Sequence, residues 1–269
     1  MKLSICGKGG SGKSAITTLL ANGMRTKGYE VLVVDSDESN SGLHRMLGFE
    51  NPPTPLLDLV GGKSEVKNVL PKTPVEQSRQ ETNILGRAQI LTGDIPDDYI
   101  VKRDGIGLIS VGKILQALEG CACPMGVLSR EFLKKLQLKD NEIAIVDMEA
   151  GVEHFGRGIE TGIDGVLIVV DPSYESVQLA ERIQEMTGGI GVSDTWAVLN
   201  KVTSREMESR LEEKLRERNV DTIGCIWFDS DVFEAGLEGR SVQSAQTGPA
   251  VEEIIDRLIS HEGSGIKEK

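Results

Sequence analysis

Apolar residues recur along this chain with two periods, and their alternation predicts the fold. Lys2 to Cys6 form a short apolar run of the buried-strand type. Lys13 to Lys27 then carry Ile16, Leu19, Leu20 and Met24 at helical spacing, with Gly28 as a helix stop. Val31 to Val34 end at Asp35, so the first ~35 residues read as a strand, helix, strand unit of parallel-crossover length. The theme returns in Ile143 to Val146, Val166 to Val170 and Trp196 to Leu199, each followed by a polar residue: Asp147, Asp171 and Asn200. Helical patterns cover Ser173 to Met186, Arg205 to Arg218 and Val251 to Ile259, and Val220 to Trp227 reads as a late strand. The expected class is α/β, with a mostly parallel central sheet flanked by helices on both faces. In such a sheet the polar residues at the strand ends converge where ligands bind.

From Gly48 to about Arg103 the pattern breaks up, with Pro52, Pro53, Pro55, Gly61, Gly62, Pro71 and Pro74 between short apolar pieces. This stretch is expected to be a surface excursion of one domain spanning residues 1–269, and the small, charged tail from Gly263 is expected to fray. No internal repeat is present. The composition, 39% hydrophobic and 27% charged, is that of a globular protein, and nothing approaches the ~20 apolar residues of a membrane span. The start of the sequence lacks the regions of a signal peptide, so a soluble, cytoplasmic protein is expected. A net charge of −12 argues against nucleic acid as partner.

Gly7, Gly12, Lys13 and Ser14 fit a loop whose backbone N–H groups cradle phosphates, whose lysine reaches the outer phosphates and whose serine faces magnesium. The required context, strand before and helix after, is predicted. Gly7, Gly9 and Gly12 also fit a dinucleotide fingerprint, with Asp35 near the distance of a ribose-binding acid. Lys13 followed by Ser14 decides for a nucleoside triphosphate, because a dinucleotide fold needs neither, and Asp147 at a later strand end supplies a magnesium partner. Gly9, Gly10 and Ser11 complete the cradle. Lys8 is a second lysine in the loop; taken alone, such a residue ordinarily lies in water.

Lys-Gly-Gly-Ser-Gly-Lys-Ser resembles the deviant Walker A loop of the family that includes nitrogenase iron protein, septum-placing ATPases and metal-insertion ATPases. That resemblance implies that Lys8 reaches across a dimer interface to the partner's phosphates, as cationic fingers do. It assigns Asp35 to the magnesium shell with Ser14 and Asp147, and Asp37 to orienting the attacking water. An acid at a strand end also simply starts turns, so one of the pair has a plainer explanation. Asp147 opens Asp-Met-Glu-Ala-Gly, which looks like the second acidic motif, with Gly151 as the switch residue whose N–H meets the terminal phosphate. Asn200 and Lys201 stand where this family reads adenine, although a polar strand cap accounts for Asn200 equally well.

Cys121 and Cys123 lie in Gly-Cys-Ala-Cys-Pro-Met-Gly, far from Cys6 and Cys225, which fall in apolar strands and read as core. Two thiolates leave a tetrahedral metal short of ligands, but a twofold axis near this loop would gather four. As a bare motif the pair is weak, and two idle thiols explain it as well. Together with Asp147 to Arg157, the cysteine motif is similar to the CooC-type ATPases that help insert nickel into carbon monoxide dehydrogenase. The resemblance runs from the phosphate loop to about Gly239. It implies ATP or ADP, magnesium, and Ni2+ or Zn2+ at a cysteine site shared between two chains. His44, His154 and His261 offer no ligand spacing with one another, and only His154 lies in the switch.

The resemblance implies an ATP-hydrolysing homodimer that acts as a metallochaperone, with carbon monoxide dehydrogenase as client, and the charge pattern predicts no membrane or nucleic acid as partner. Two alternatives stand beside it. A positional switch of the septum or partition kind would need a basic terminal helix, yet Val251 to Ile259 carry Glu252, Glu253 and Asp256. An iron–sulfur electron-transfer ATPase would separate its cysteines by a long segment.

Overall fold

The computed structural model describes residues 1–69, 83–114, 123–192 and 194–262. The strands are β1 (Lys2–Gly7), β2 (Glu30–Asp35), β3 (Ile90–Leu91), β4 (Val101–Arg103), β5 (Ile106–Ser110), β6 (Leu136–Gln137), β7 (Glu142–Asp147), β8 (Gly165–Val170), β9 (Asp194–Val202) and β10 (Thr222–Trp227). Eight of them form one sheet in the order β10-β9-β8-β1-β7-β2-β5-β4, parallel throughout except that β4 runs antiparallel to β5 at one edge. β3 and β6 pair separately. The longer helices are α1 (Lys13–Thr26), α2 (Cys123–Lys135), α3 (Tyr174–Ile190), α4 (Arg205–Arg216), α5 (Ser230–Glu238) and α6 (Gly248–Glu262).

The strands read as continuous apolar runs because both faces of the sheet are covered. Leu3, Ile5, Val31, Val33, Ile143 and Ile145 point to one side, where Ile16, Leu20 and Met24 of α1 and Ile254, Ile255 and Leu258 of α6 pack on them. Their alternate neighbours, among them Cys6, Leu32, Val34, Ala144 and Val146, meet Leu128, Phe132 and Leu133 of α2 and Val177, Ala180 and Ile183 of α3 on the other. β1 lies between β7 and β8, so the loop after it leaves the middle of the sheet. β2 lies on the far side of β7, and its register places Asp35 opposite Asp147.

The α/β class holds. The irregular stretch from Gly48 to Arg103 behaves differently from a simple surface excursion. Its described residues include Leu56, Leu57, Val66, Ile90, Ile95 and Ile100, all buried in the cluster around α2. Short turns and a two-residue strand carry these residues singly or as the one pair Leu56 and Leu57, so no periodicity develops to signal them. β5 was not anticipated, because Gly107 and Ser110 dilute its apolar run. α5 was also missed: Phe233 and Leu237 are exposed on it, so it lacks a buried stripe. The expected fraying from Gly263 lies outside the described residues. Among those described, no helix is long and apolar enough to cross a membrane.

Candidate nucleotide site

The carboxyl ends of β1, β2, β7, β8 and β9 surround the glycine loop. α1 begins at Lys13 after Gly12, whose φ of 101° is left-handed, and no side chain caps the helix. A side chain at Gly12 would collide with the Asn200 amide as well as strain the backbone. An uncapped helix start at the end of a glycine loop suits an anion, because the first amides lack intrahelical partners and carry the positive end of the dipole. Asn200 Nδ2 donates to the Ser11 carbonyl at 2.8 Å, and Lys201 Nζ donates to the Gly10 carbonyl at 2.6 Å. Both expected base readers therefore brace the loop. A cavity of about 270 Å3 adjoins them, lined by Gly12, Asn200, Lys201, Phe228 and Phe233 among others.

The acids converge beside the loop. Ser14 Oγ donates to Asp147 Oδ2 at 2.6 Å, and Thr17 Oγ1 reaches Oδ1 at 3.4 Å. Asn40 Nδ2 donates to Ser14 Oγ at 2.7 Å. Burial pushes the Asp147 carboxyl up to about 7; the Ser14 bond opposes this, while the Asp35 charge adds to it. Burial likewise raises Asp35 to about 6 against the pull of Lys113. Lys113 Nζ lies 2.7 Å from Asp35 and donates to the Asp37 carbonyl at 2.5 Å and to the Asn40 carbonyl. Asp37 Oδ1 accepts from the Ser39 amide at 2.9 Å, the Ser39 hydroxyl at 2.6 Å and the Asn40 amide at 3.2 Å, so it closes its own turn. Buried acids whose charge is disfavoured by burial, beside a serine hydroxyl, are chemically suited to a hard divalent cation, which would favour their ionised forms.

The second acidic segment leans on the loop through the Gly151 N–H, which donates to the Gly7 carbonyl at 3.2 Å. Behind it His154 Nε2 donates to the Gly151 carbonyl at 3.2 Å, and Nδ1 meets the fully buried Glu160. Cys6, His154 and Glu160 bring ligand-type atoms within 4.8 Å of one another. Both imidazole nitrogens are already engaged, so this cluster is a buried bracket on the switch rather than a metal centre. Glu149 is pushed up to about 8 by burial, helped by the hydrogen bond and charge of Glu38 and opposed by Arg157.

Lys8 does not lie free in water. Its Nζ is 3.2 Å from Asp171 Oδ2 and 3.0 Å from Ser173 Oγ. Burial works against the Asp171 charge, but the bonds from Ser173 and Lys8 outweigh it and hold that carboxyl below its ordinary range. Cys6 is buried and Cys225 half-buried. Cys123 is half-buried at the start of α2, and Cys121 lies outside the described residues.

Sequence reasoning missed Thr17, Asn40 and Lys113 as site residues and Ser173 as a partner of Lys8. Thr17 had a signal, one helical turn after Lys13. Lys113 had none, since 78 positions separate it from Asp35.

Residues 4–242 match the model of the CobQ/CobB/MinD/ParA nucleotide binding domain. The chain is 41% identical to an uncharacterized ATP-binding protein of Methanocaldococcus jannaschii, over 91% of this chain and 94% of that protein. It is 30% identical to the carbon monoxide dehydrogenase accessory protein CooC of Rhodospirillum rubrum, over 90% of this chain and 89% of that one. Its fold is similar to that of the septum site-determining protein MinD of Pyrococcus horikoshii complexed with Mg-ADP. That structure superposes with a TM-score of 0.69 at 16% identity, covering 99% of each chain.

Proposed function

We propose, for a chain that belongs to the CobQ/CobB/MinD/ParA nucleotide binding domain family, a specific role among its ATPases: a homodimeric metallochaperone that helps insert nickel into carbon monoxide dehydrogenase. The chain is an ATPase with a MinD/ParA-like nucleotide site. In this role the loop amides and Lys13 hold the phosphates of ATP. Ser14, Asp147 and Asp35 hold magnesium, which neutralises phosphate charge when bound. Asp37 turns a water toward the γ-phosphorus as Lys113 and Asn40 steady its loop, and Gly151 follows the terminal phosphate. Positioning and charge stabilisation supply most of the catalysis in phosphoryl transfer.

Lys8 acts in trans. In a single chain it is bound to Asp171 and Ser173, so dimer closure exchanges these partners for the other chain's phosphates. The same twofold symmetry brings Cys121 and Cys123 of both chains together as four thiolates for Ni2+ or Zn2+. The nickel assignment is supported by one observation, the Cys-Ala-Cys-Pro motif in a chain 30% identical along most of its length to a carbon monoxide dehydrogenase accessory protein. The protein works in the cytoplasm, without membrane or nucleic acid.

The test is metal stoichiometry and oligomer mass measured without nucleotide and with ADP, ATP or a slowly hydrolysed analogue. Wild type is expected to bind one Ni2+ or Zn2+ per dimer, and the Cys121→Ser, Cys123→Ser double variant none. Equal binding by both proteins would remove the cysteines from the role. A monomer under every condition would remove the trans role of Lys8.

A further inference from the structure

α2 touches both acidic segments of the nucleotide site, and one arginine stands at the joint. The stem of Arg157 lies across Gly126, in the first turn of α2. A Cβ placed on Gly126 would fall 2.5 Å from Arg157 Cδ, closer than any real contact. Farther along the helix, Arg130 donates to the Arg157 carbonyl at 3.1 Å. The Arg157 guanidinium bonds to Glu149, two residues beyond Asp147, and stands 3.9 Å from Glu38, the residue after Asp37. A hydroxyl contact of 3.0 Å between Ser36 and Ser129 joins α2 to the first acidic segment as well.

We propose that Arg157 is a positioning residue that couples the nucleotide site to the cysteine end of α2. Glu38 and Glu149 are carboxyls from different segments that share one cation and a hydrogen bond. A nucleotide that draws Asp147 toward magnesium and Asp37 toward the attacking water shifts these two glutamates relative to each other, so Arg157 must follow one of them. Its stem has no slack against Gly126, and close-packed contacts transmit such a shift. The motion therefore reaches the turn that begins at Cys123. Linkage makes the coupling reciprocal: whatever binds at the cysteines changes nucleotide affinity by the same factor. The inference rests on the nucleotide reading of the site and needs no metal at the cysteines.

The experiment reads the coupling without metal. In a Cys121→Ser background, the rate of Cys123 alkylation by iodoacetamide is measured with and without saturating Mg-ADP, and nucleotide affinity is measured separately. Nucleotide is expected to change that rate by about five-fold or more, the lower range of allosteric couplings. Arg157→Gln should bring the ratio to within about two-fold of unity, and Arg157→Lys should restore part of it. Gly126→Ala, which displaces the stem from the other side, should do the same, and the double variant should be no worse than either single one. Each variant should still bind Mg-ADP, which separates lost coupling from lost nucleotide binding. An unchanged ratio in both Arg157→Gln and Gly126→Ala overturns the proposal, as does a nucleotide-insensitive rate in the background protein. If the cysteines bind no metal but the alkylation ratio behaves as expected, the coupling stands and the nickel role falls.

Discussion

The phosphate loop and the acidic segments facing it are neighbours built on opposite principles. The loop is a backbone device: glycine torsions set its path, an uncapped helix start gives it polarity, and Asn200 and Lys201 hold two of its carbonyls. The acidic segments are held by side chains, with Lys113 on Asp35, Arg157 on Glu149, and Ser14 and Thr17 on Asp147. All three carboxyls are raised well above their ordinary range. A preorganised cradle beside paired, exchangeable charges suits a nucleotide switch, because only the second part has different partners to take.

The contrast is broken most severely at Lys8. Lys8→Ala is expected to lower kcat about 10³-fold with little change in nucleotide affinity, if Lys8 acts as a finger in trans. Steady-state kinetics of Asp171→Asn, which frees Lys8 from its partner, should show no such loss; equal damage from both would make the pair merely structural. Asp147→Asn removes the carboxylate charge beside Ser14 and should weaken magnesium affinity by about 10- to 100-fold, measured by Mg2+ titration of hydrolysis. An unchanged Mg2+ requirement would sever Asp147 from the cation.

Two smaller effects sharpen the comparison. Lys113→Met leaves Asp35 without its cation and should cost about 1–3 kcal/mol in denaturant unfolding at pH 8, and less at pH 5, where Asp35 is mostly protonated and only the bonds to the Asp37 and Asn40 carbonyls are lost. Asp35, Asp147 and Glu149 all have raised carboxyl pKa values, at about 6, 7 and 8, so between the ordinary carboxylate range and pH 8 the folded chain holds more protons than the unfolded one. Their contribution is therefore fully favourable at low pH and is lost as the pH rises. The nucleotide-free protein should melt roughly 5 °C lower at pH 8.5 than at pH 5.5. Asp147→Asn should flatten the part of the decline near pH 7.

Much of this was legible in the sequence. The strands β1, β2, β7, β8 and β9 announced themselves because burial on both faces turns a strand into a largely apolar run, and the edge strand β10 through its shorter apolar pattern. Gly12, Lys13 and Ser14 were legible because a phosphate loop has fixed spacing between one strand and one helix, and Asp147 because it ends a later apolar strand. Asn40 and Lys113 were not, since each has only a local neighbourhood in sequence and becomes a site residue when β2 and β5 lie side by side. The bracing role of Asn200 was also hidden, because a polar residue at a strand end looks the same whether it reads a base or ties a loop.

The sequence alone determined the α/β class, six strands of the sheet and the phosphate loop, because each follows from periodicity or spacing over a few residues; the acids stood out as polar ends of those strands. Only the tertiary structure decided how those parts are held: Lys8 against Asp171, Lys113 against Asp35, and Arg157 between Glu38, Glu149 and Gly126. Charge pairing between distant segments depends on which strand ends and helix turns become neighbours. That is set by the packing of the whole sheet and its helices, and no local pattern encodes it.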